Sequence, residues 1–152
     1  MRTLARERDA AALVRRIKQL QPDTPARWGR MSAGQMVCHL TDCFRMAAGQ
    51  TQVSPSTSLA RQTIVKWVAL YAPAQWPPGI ATRPEVDQEI GGTCPREFAA
   101  DVAALEAQLQ SVAALGAEFS WPAHPIFGRM SRSTWLRWGY LHVDHHLRQF
   151  GV

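Results

Sequence analysis

"SRSTWLRWGYLHVDHHLRQF", Ser131–Phe150, is the stretch that decides the fold. Ser131 belongs to the residue types that cap helix N-termini, and no proline follows it before the chain ends. At helical spacing, with His142 set at zero, Trp135 falls at about +20°, His146 at about +40°, Gly139 at about +60° and Gln149 at about −20°. The apolar arc runs from Trp138 at about −40° through Phe150, Val143 and Leu136 to Tyr140 at about +160°. Arg137, Asp144 and Arg148 lie on the far side. The spacing predicts a helix from Ser131 to about Phe150 that buries its apolar half and carries His142 and His146 within that half.

Two inward imidazoles need partners, because a buried polar group left unpaired costs about 1–3 kcal/mol. Positions four apart are neighbours on a helix surface, so His142 and His146 can aim at one ion. The histidines of the HExxH motif do so, but Val143 occupies the place of that motif's glutamate and Asp144 projects away. A zinc-protease mechanism is therefore not expected. The competing expectation is a pair of core histidines satisfied by ordinary hydrogen bonds.

A third ligand has to come from elsewhere, and "SAGQMVCHLTDCFRMAAG" offers it. Ser32 followed by Gln35 is a capping box that starts a helix, and Gly49 is a plausible stop. On that helix Met36, Leu40, Met46 and Ala47 mark the apolar side. His39 falls at its edge beside Gln35, Asp42 and Cys43. His39 is the candidate third ligand, Cys43 its alternative, and Asp42 a candidate acceptor for an imidazole N–H. His145, at about −60°, is expected at the boundary of the buried face. His124, in "AHPIFG", is expected to be a loop-packing residue, with a role at the site as the alternative. His145, His124, Gln149 and Asp42 are the groups placed to orient ligands or move protons.

The rest of the chain is also helical in pattern. A first helix is predicted over about Leu4–Leu20, with Leu4, Ala11, Val14 and Ile17 at helical spacing and an Arg-rich solvated face. A shorter segment follows over about Leu59–Tyr71, and a fourth helix over about Pro95–Leu115, with Pro95 at its first position. The buried stripe of that helix is Phe98, Val102, Leu105, Leu109 and Val112. Between the last two lies "APAQWPPGIATRPEVDQEIGGTCP", too rich in proline and glycine for a regular helix or a central strand. Its Trp76, Ile80, Val86 and Ile90 predict a loop laid down on the helices. Together these elements predict an all-α fold, one domain over residues 1–152, built as a helix bundle.

Composition narrows the function classes. The chain has 152 residues, 46% hydrophobic and 19% charged, which suits one globular domain able to bury a core without staples. The net charge of +5 is spread along the chain with no basic run, which argues against nucleic acid as a partner. Three cysteines, Cys38, Cys43 and Cys94, with no CxxC pair argue against a disulfide framework or a zinc ribbon. No signal-peptide pattern or membrane-spanning run is visible, so a cytoplasmic protein with reduced thiols is expected.

With these residues in place, the chain resembles the DinB/YfiT-like metalloenzyme superfamily, and more closely an uncharacterised bacterial branch of it. The likeness rests on "RWGRMSAGQMVCHLTD", "GIATRPEVDQEIGGTCP", "AHPIFGRMS" and "WGYLHVDHHLRQFG", which cover most of the chain in the branch's order. The resemblance implies a four-helix bundle of up-down-down-up type with an extra short helix and long ordered loops. It implies a metal site of His39, His142 and His146, the set that the helix geometry had singled out. It also implies a thiol-dependent transferase or a related metal-dependent enzyme acting on a small molecule, with a low-molecular-weight thiol as co-substrate. Cys38 and Cys43, which flank His39, depart from the family pattern and leave a mixed His/Cys site open.

Two functions compete on these grounds. The first is a divalent-metal-dependent enzyme, a thiol S-transferase or hydrolase; zinc suits three imidazoles best, with nickel, manganese or iron as alternatives. The second is a non-catalytic helical bundle, structural or stress-related, whose histidines are satisfied within the core. Its loops would form a partner surface, with a second copy of the chain as a possible partner.

Overall fold

The computed structural model describes residues 1–152 and contains five α-helices and no β-strand. They are α1 (Glu7–Ile17), α2 (Ala33–Ala47), α3 (Lys66–Tyr71), α4 (Phe98–Ala114) and α5 (Arg132–Gln149). A π-helical segment, Arg61–Val65, leads directly into α3, and a single 3-10 turn, Pro84–Val86, interrupts the long loop before α4. The helical class expected from the sequence is the one found. No helix is long and apolar enough to cross a membrane.

Helix ends follow local chemistry. Ser32 Oγ accepts the Gln35 amide at 3.2 Å and Gln35 Oε1 accepts the Ser32 amide at 2.8 Å, completing the capping box of α2. Ser131 Oγ accepts the Thr134 amide and opens α5. α4 differs from expectation. Glu97, not the residue before Pro95, caps it by accepting the amides of Ala99 and Ala100 at 3.0 and 2.7 Å. The helix therefore begins at Phe98, and Pro95 is left in the extended approach, against Gly34 of α2.

α5 is the centre of the molecule. It packs on α1, α2 and α3, while α2 packs on α4 and α1 also meets α4. Trp135, Leu136, Trp138, Tyr140, Val143 and Leu147 of α5 are all buried. Gly139 lets neighbours close in, since a Cβ there would lie 2.8 Å from Leu4 Cδ1 and 3.1 Å from Phe44 Cε1. Asp144 faces away from this core and pairs with Arg16 at 2.6 Å and Arg148 at 3.0 Å.

Two expectations about packing are corrected. α1 is shorter than predicted and buries Leu13 and Ile17 rather than Ala11 and Val14, because α5 and α4 lie against that side. The π-helical segment leaves Ile64 and Val65 exposed, and α3 buries Leu70 alone and leaves Trp67 and Val68 exposed. In the long loop Val86 is buried and Trp76 packs against the core, whereas Ile80 and Ile90 are exposed. The loop is laid down at two places, through Trp76 on α5 and through Val86 on α2, and not along its whole length.

Candidate metal centre

α2 brings His39, and α5 brings His142 and His146, to one point. His142 Nε2 lies 3.3 Å from His39 Nε2 and 3.2 Å from His146 Nε2. One ligand atom from each of the three residues falls within 4.8 Å of both others. His39 and His146 are buried and His142 is partly buried. Trp138 packs on the His142 ring at 4.8 Å between centroids and Trp76 at 6.0 Å, so aromatic walls enclose the cluster.

Partners fix which nitrogen of each ring carries the proton. His39 Nδ1 lies 2.7 Å from the Val86 carbonyl oxygen, which only accepts, so Nδ1 bears the hydrogen and Nε2 the lone pair. Gln149 Nε2 donates to the Trp28 carbonyl at 2.8 Å, which turns Gln149 Oε1 toward His146. That oxygen accepts from His146 Nδ1 at 2.7 Å, so the lone pair of His146 is again on Nε2. Two lone pairs thus converge on His142 Nε2. One hydrogen on His142 Nε2 satisfies at most one of them well, and a cation satisfies all three.

Electrostatics agree. Burial, and then the neighbouring imidazoles His146 and His39, hold the His142 pKa well below the ordinary histidine value. Burial and then His39 do the same to His146, and burial lowers that of His39 against the pull of the Val86 carbonyl. All three rings are therefore neutral near pH 7, the form in which imidazole binds metal. The spacing also fits. Bonds of about 2.0–2.1 Å at tetrahedral angles separate imidazole nitrogens by about 3.3–3.4 Å, close to the two observed separations of 3.3 and 3.2 Å. The three-histidine group can hold a metal ion.

The remaining predicted site residues sort by distance and partner. Gln149 touches the centre through His146. His145 is buried, not at the boundary, because Trp28 and Trp76 close over it at 5.9 and 6.0 Å. Its Nδ1 has no partner. His124 does not reach the cluster. Its Nδ1 accepts the Ile126 and Phe127 amides at 3.1 and 3.2 Å, and its ring is packed among Phe127, Trp135 and Trp138.

Cys43 and Asp42 take other positions than expected. Cys43 Sγ lies 3.7 Å from His39 Nε2 and 3.9 Å from Nδ1. Near-equal distances to both nitrogens put the sulfur beside the ring, off the line of the Nε2 lone pair. Burial pushes its thiol pKa up, so it is a neutral packing group. Asp42 accepts no imidazole hydrogen. It is buried and accepts from Gln88 Nε2, the Thr93 amide, Thr93 Oγ1 and Arg45 Nη1 at 2.7–3.1 Å. It ties the loop around Pro84–Thr93 to α2, and that loop delivers the Val86 carbonyl to His39. Val86 and Trp28 were not singled out as site residues. They act through backbone oxygens, which carry no side-chain signature in a sequence.

Two glycines make this support possible. Gly29 has φ +80°, and a Cβ there would stand 2.8 Å from Gln149 Nε2. Gly92 lies so close under the Asp87 carbonyl that a Cβ would meet it at 3.0 Å, in a turn where that oxygen accepts the amides of Ile90, Gly91 and Gly92. A cleft of about 300 Å³ opens beside His146, lined also by His145, Gln149, Trp28, Asp87 and Gln88.

Fold and site together define an all-helical protein with an imidazole triad at the meeting of two helices. The chain belongs to the family described as a protein of unknown function, DUF1569, whose model matches residues 3–151. No curated protein and no solved structure matches the chain.

Proposed function

We propose that the protein is a divalent-metal-dependent enzyme, a thiol S-transferase or hydrolase that acts on a small molecule in the cleft beside His146. The observation that carries this reading is the convergence of His39, His142 and His146 with the lone pairs of His39 and His146 directed inward. A core histidine satisfied by hydrogen bonds has no need of such an arrangement. An ion held there supplies a Lewis acid that lowers the pKa of a coordinated thiol or water. The chain's own groups do the rest. Val86 and Gln149 hold two rings in their binding tautomer, and Trp76 and Trp138 pack on the His142 ring. Zinc is the ion that three imidazole ligands suit best, with nickel, manganese or iron as alternatives.

The same reading places the chain in the DinB/YfiT-like superfamily, with α1, α2, α4 and α5 as an up-down-down-up bundle and α3 as the extra helix. Support comes from one histidine on the second helix and two on the last, and from the packing of each of those four helices on at least two of the others.

The test is metal analysis of untagged protein, wild type beside His146→Ala. About one ion per chain in the wild type and a large loss in the variant are expected. Equal metal content in the two would overturn the site, and absence of metal from both, even after zinc is added, would leave the non-catalytic helical bundle.

A further inference from the structure

The π-helical segment and α3 together present an apolar face that nothing in the chain covers. Ile64 is 69% exposed and Trp67 62%, and Val65, Val68 and Tyr71 are exposed beside them. At about 100° per residue these five side chains share an arc of roughly 160°. Leu70 and Lys66 lie on the opposite side of the helix, turned toward the core. The five expose roughly 550 Å². That is the upper end of the patches of about 300–600 Å² found on monomers, and most of the roughly 800 Å² that each partner buries in a standard interface.

Charge decides what kind of partner fits. No acidic residue lies between Leu59 and Tyr71. Arg61 is committed to its own chain, its Nη1 donating to the Ser56 carbonyl at 2.6 Å and to Ser56 Oγ at 2.7 Å. Lys66 points away from the face and donates to the carbonyls of Phe127 and Arg129 at 3.4 and 3.2 Å. An amphipathic helix that lies on an anionic membrane needs free cations along its flanks, and this one has spent both. In a chain of net charge +5, two copies repel each other least across a face without free charge.

Shape points the same way. A groove of about 380 Å³ runs beside Trp67 and Tyr71 and is lined also by Met130 and Thr134. Ile64 and Val68 form a ridge next to it. A ridge and a groove on one face are what a two-fold contact requires, since the same patch must serve both copies. Tryptophan and tyrosine are also the residues on which such contacts depend most.

We propose that this face is a two-fold dimer interface, covered by the same face of a second copy of the chain. Ile64 and Val68 of each copy pack against Trp67 and Tyr71 of the other. The Tyr71 hydroxyl lies 3.2 Å from Thr134 Oγ1, so the interface sits over the first turns of α5, about 12 Å along the helix from His142. The dimer therefore leaves the imidazole triad uncovered.

Sedimentation velocity on the full chain tests it, from about 1 to about 100 μM, where an interface of this size is expected to associate. The wild type is expected to move from the 16.9 kDa chain to twice that mass as concentration rises. Ile64→Glu and Trp67→Glu change exposed side chains, so both are expected to keep the wild-type far-UV circular dichroism. Each is expected to weaken the dimer about 30-fold or more. Ile90→Glu, equally exposed but in the long loop, is expected to leave it unchanged. In the wild type, deuterium uptake over residues 59–71 is expected to fall as concentration rises, a readout that needs no variant. A wild type that stays monomeric at every concentration would overturn the inference, as would a dimer that survives both variants or is lost equally in Ile90→Glu. A monomer that instead sediments with phosphatidylserine vesicles, and ceases to in Trp67→Glu, would replace the second copy with a membrane surface.

Discussion

His39 and His142 are 103 positions apart in the chain, yet their Nε2 atoms lie 3.3 Å apart. Neither ring can give the other a hydrogen without leaving a further lone pair unmet, because His146 Nε2 crowds the same point at 3.2 Å. The helices that carry these rings, α2 and α5, are packed on each other. Metal binding at this point is thus coupled to the stability of the whole helical core.

Zinc is therefore expected to raise the melting temperature. At free zinc about one hundred times Kd the linkage gain is about 2.7 kcal/mol, which for a chain of this size corresponds to roughly 5–10 °C. His39→Ala is expected to lose that rise, as read by thermal denaturation with and without zinc. An undiminished rise in His39→Ala would place the ion elsewhere.

Gln149 is expected to act on the metal only through His146. Gln149→Leu removes the acceptor for His146 Nδ1 and should weaken zinc affinity by about 10–100-fold with stoichiometry retained. Gly29→Ala should weaken it in the same direction, because the new Cβ would lie 2.8 Å from Gln149 Nε2 at a backbone φ of +80°. Competition against a zinc chelator measures both. An unchanged affinity in Gln149→Leu would show that His146 needs no such support.

Asp42 is expected to matter for stability first. Its four accepted hydrogen bonds hold the Val86 loop on α2. Asp42→Asn turns an amide hydrogen toward one of those donors and should cost about 2–4 kcal/mol. Urea denaturation reads this directly, and a cost near zero would mean that the loop is held by other contacts.

Acid is expected to destabilise the metal-free protein. Burial pushes the His124 pKa down to about 3, against 6.5 for an ordinary histidine. Below pH 6.5 the unfolded chain binds a proton that the folded chain refuses. Stability present above that pH is therefore lost as pH falls toward about 3, at up to about 1.4 kcal/mol per pH unit for this group. His39, His142 and His146, whose pKa values are also lowered, add loss of the same sign. In His124→Asn, whose side-chain oxygen still accepts the loop amides, the slope between pH 6 and 4.5 should fall by about 1 kcal/mol per unit. An identical slope would mean that His124 is not the buried group that titrates on unfolding.

Much of this architecture was legible in the order of residues. Helical periodicity, the Ser32/Gln35 box and the Ser131 cap depend on contacts within a few positions of one another, so α2 and α5 were predictable with their ends. The inward placement of His142 and His146 followed from the same angles. The start of α4 misled because two local signals competed, Pro95 and Glu97, and the glutamate's two hydrogen bonds won.

What the sequence by itself determined was the set of helices and the face on which each candidate side chain lies, since both are fixed by steps of 1.5 Å and 100° along one backbone. Only the tertiary structure decided that His39 meets the C-terminal pair and that Cys43 lies beside the ring instead of on its lone pair. It alone showed that Val86 and Gln149 set the tautomers. Those facts depend on how distant segments are oriented, and orientation is set by the packing of α5 against α1 and α2 and by backbone carbonyls that every residue possesses alike.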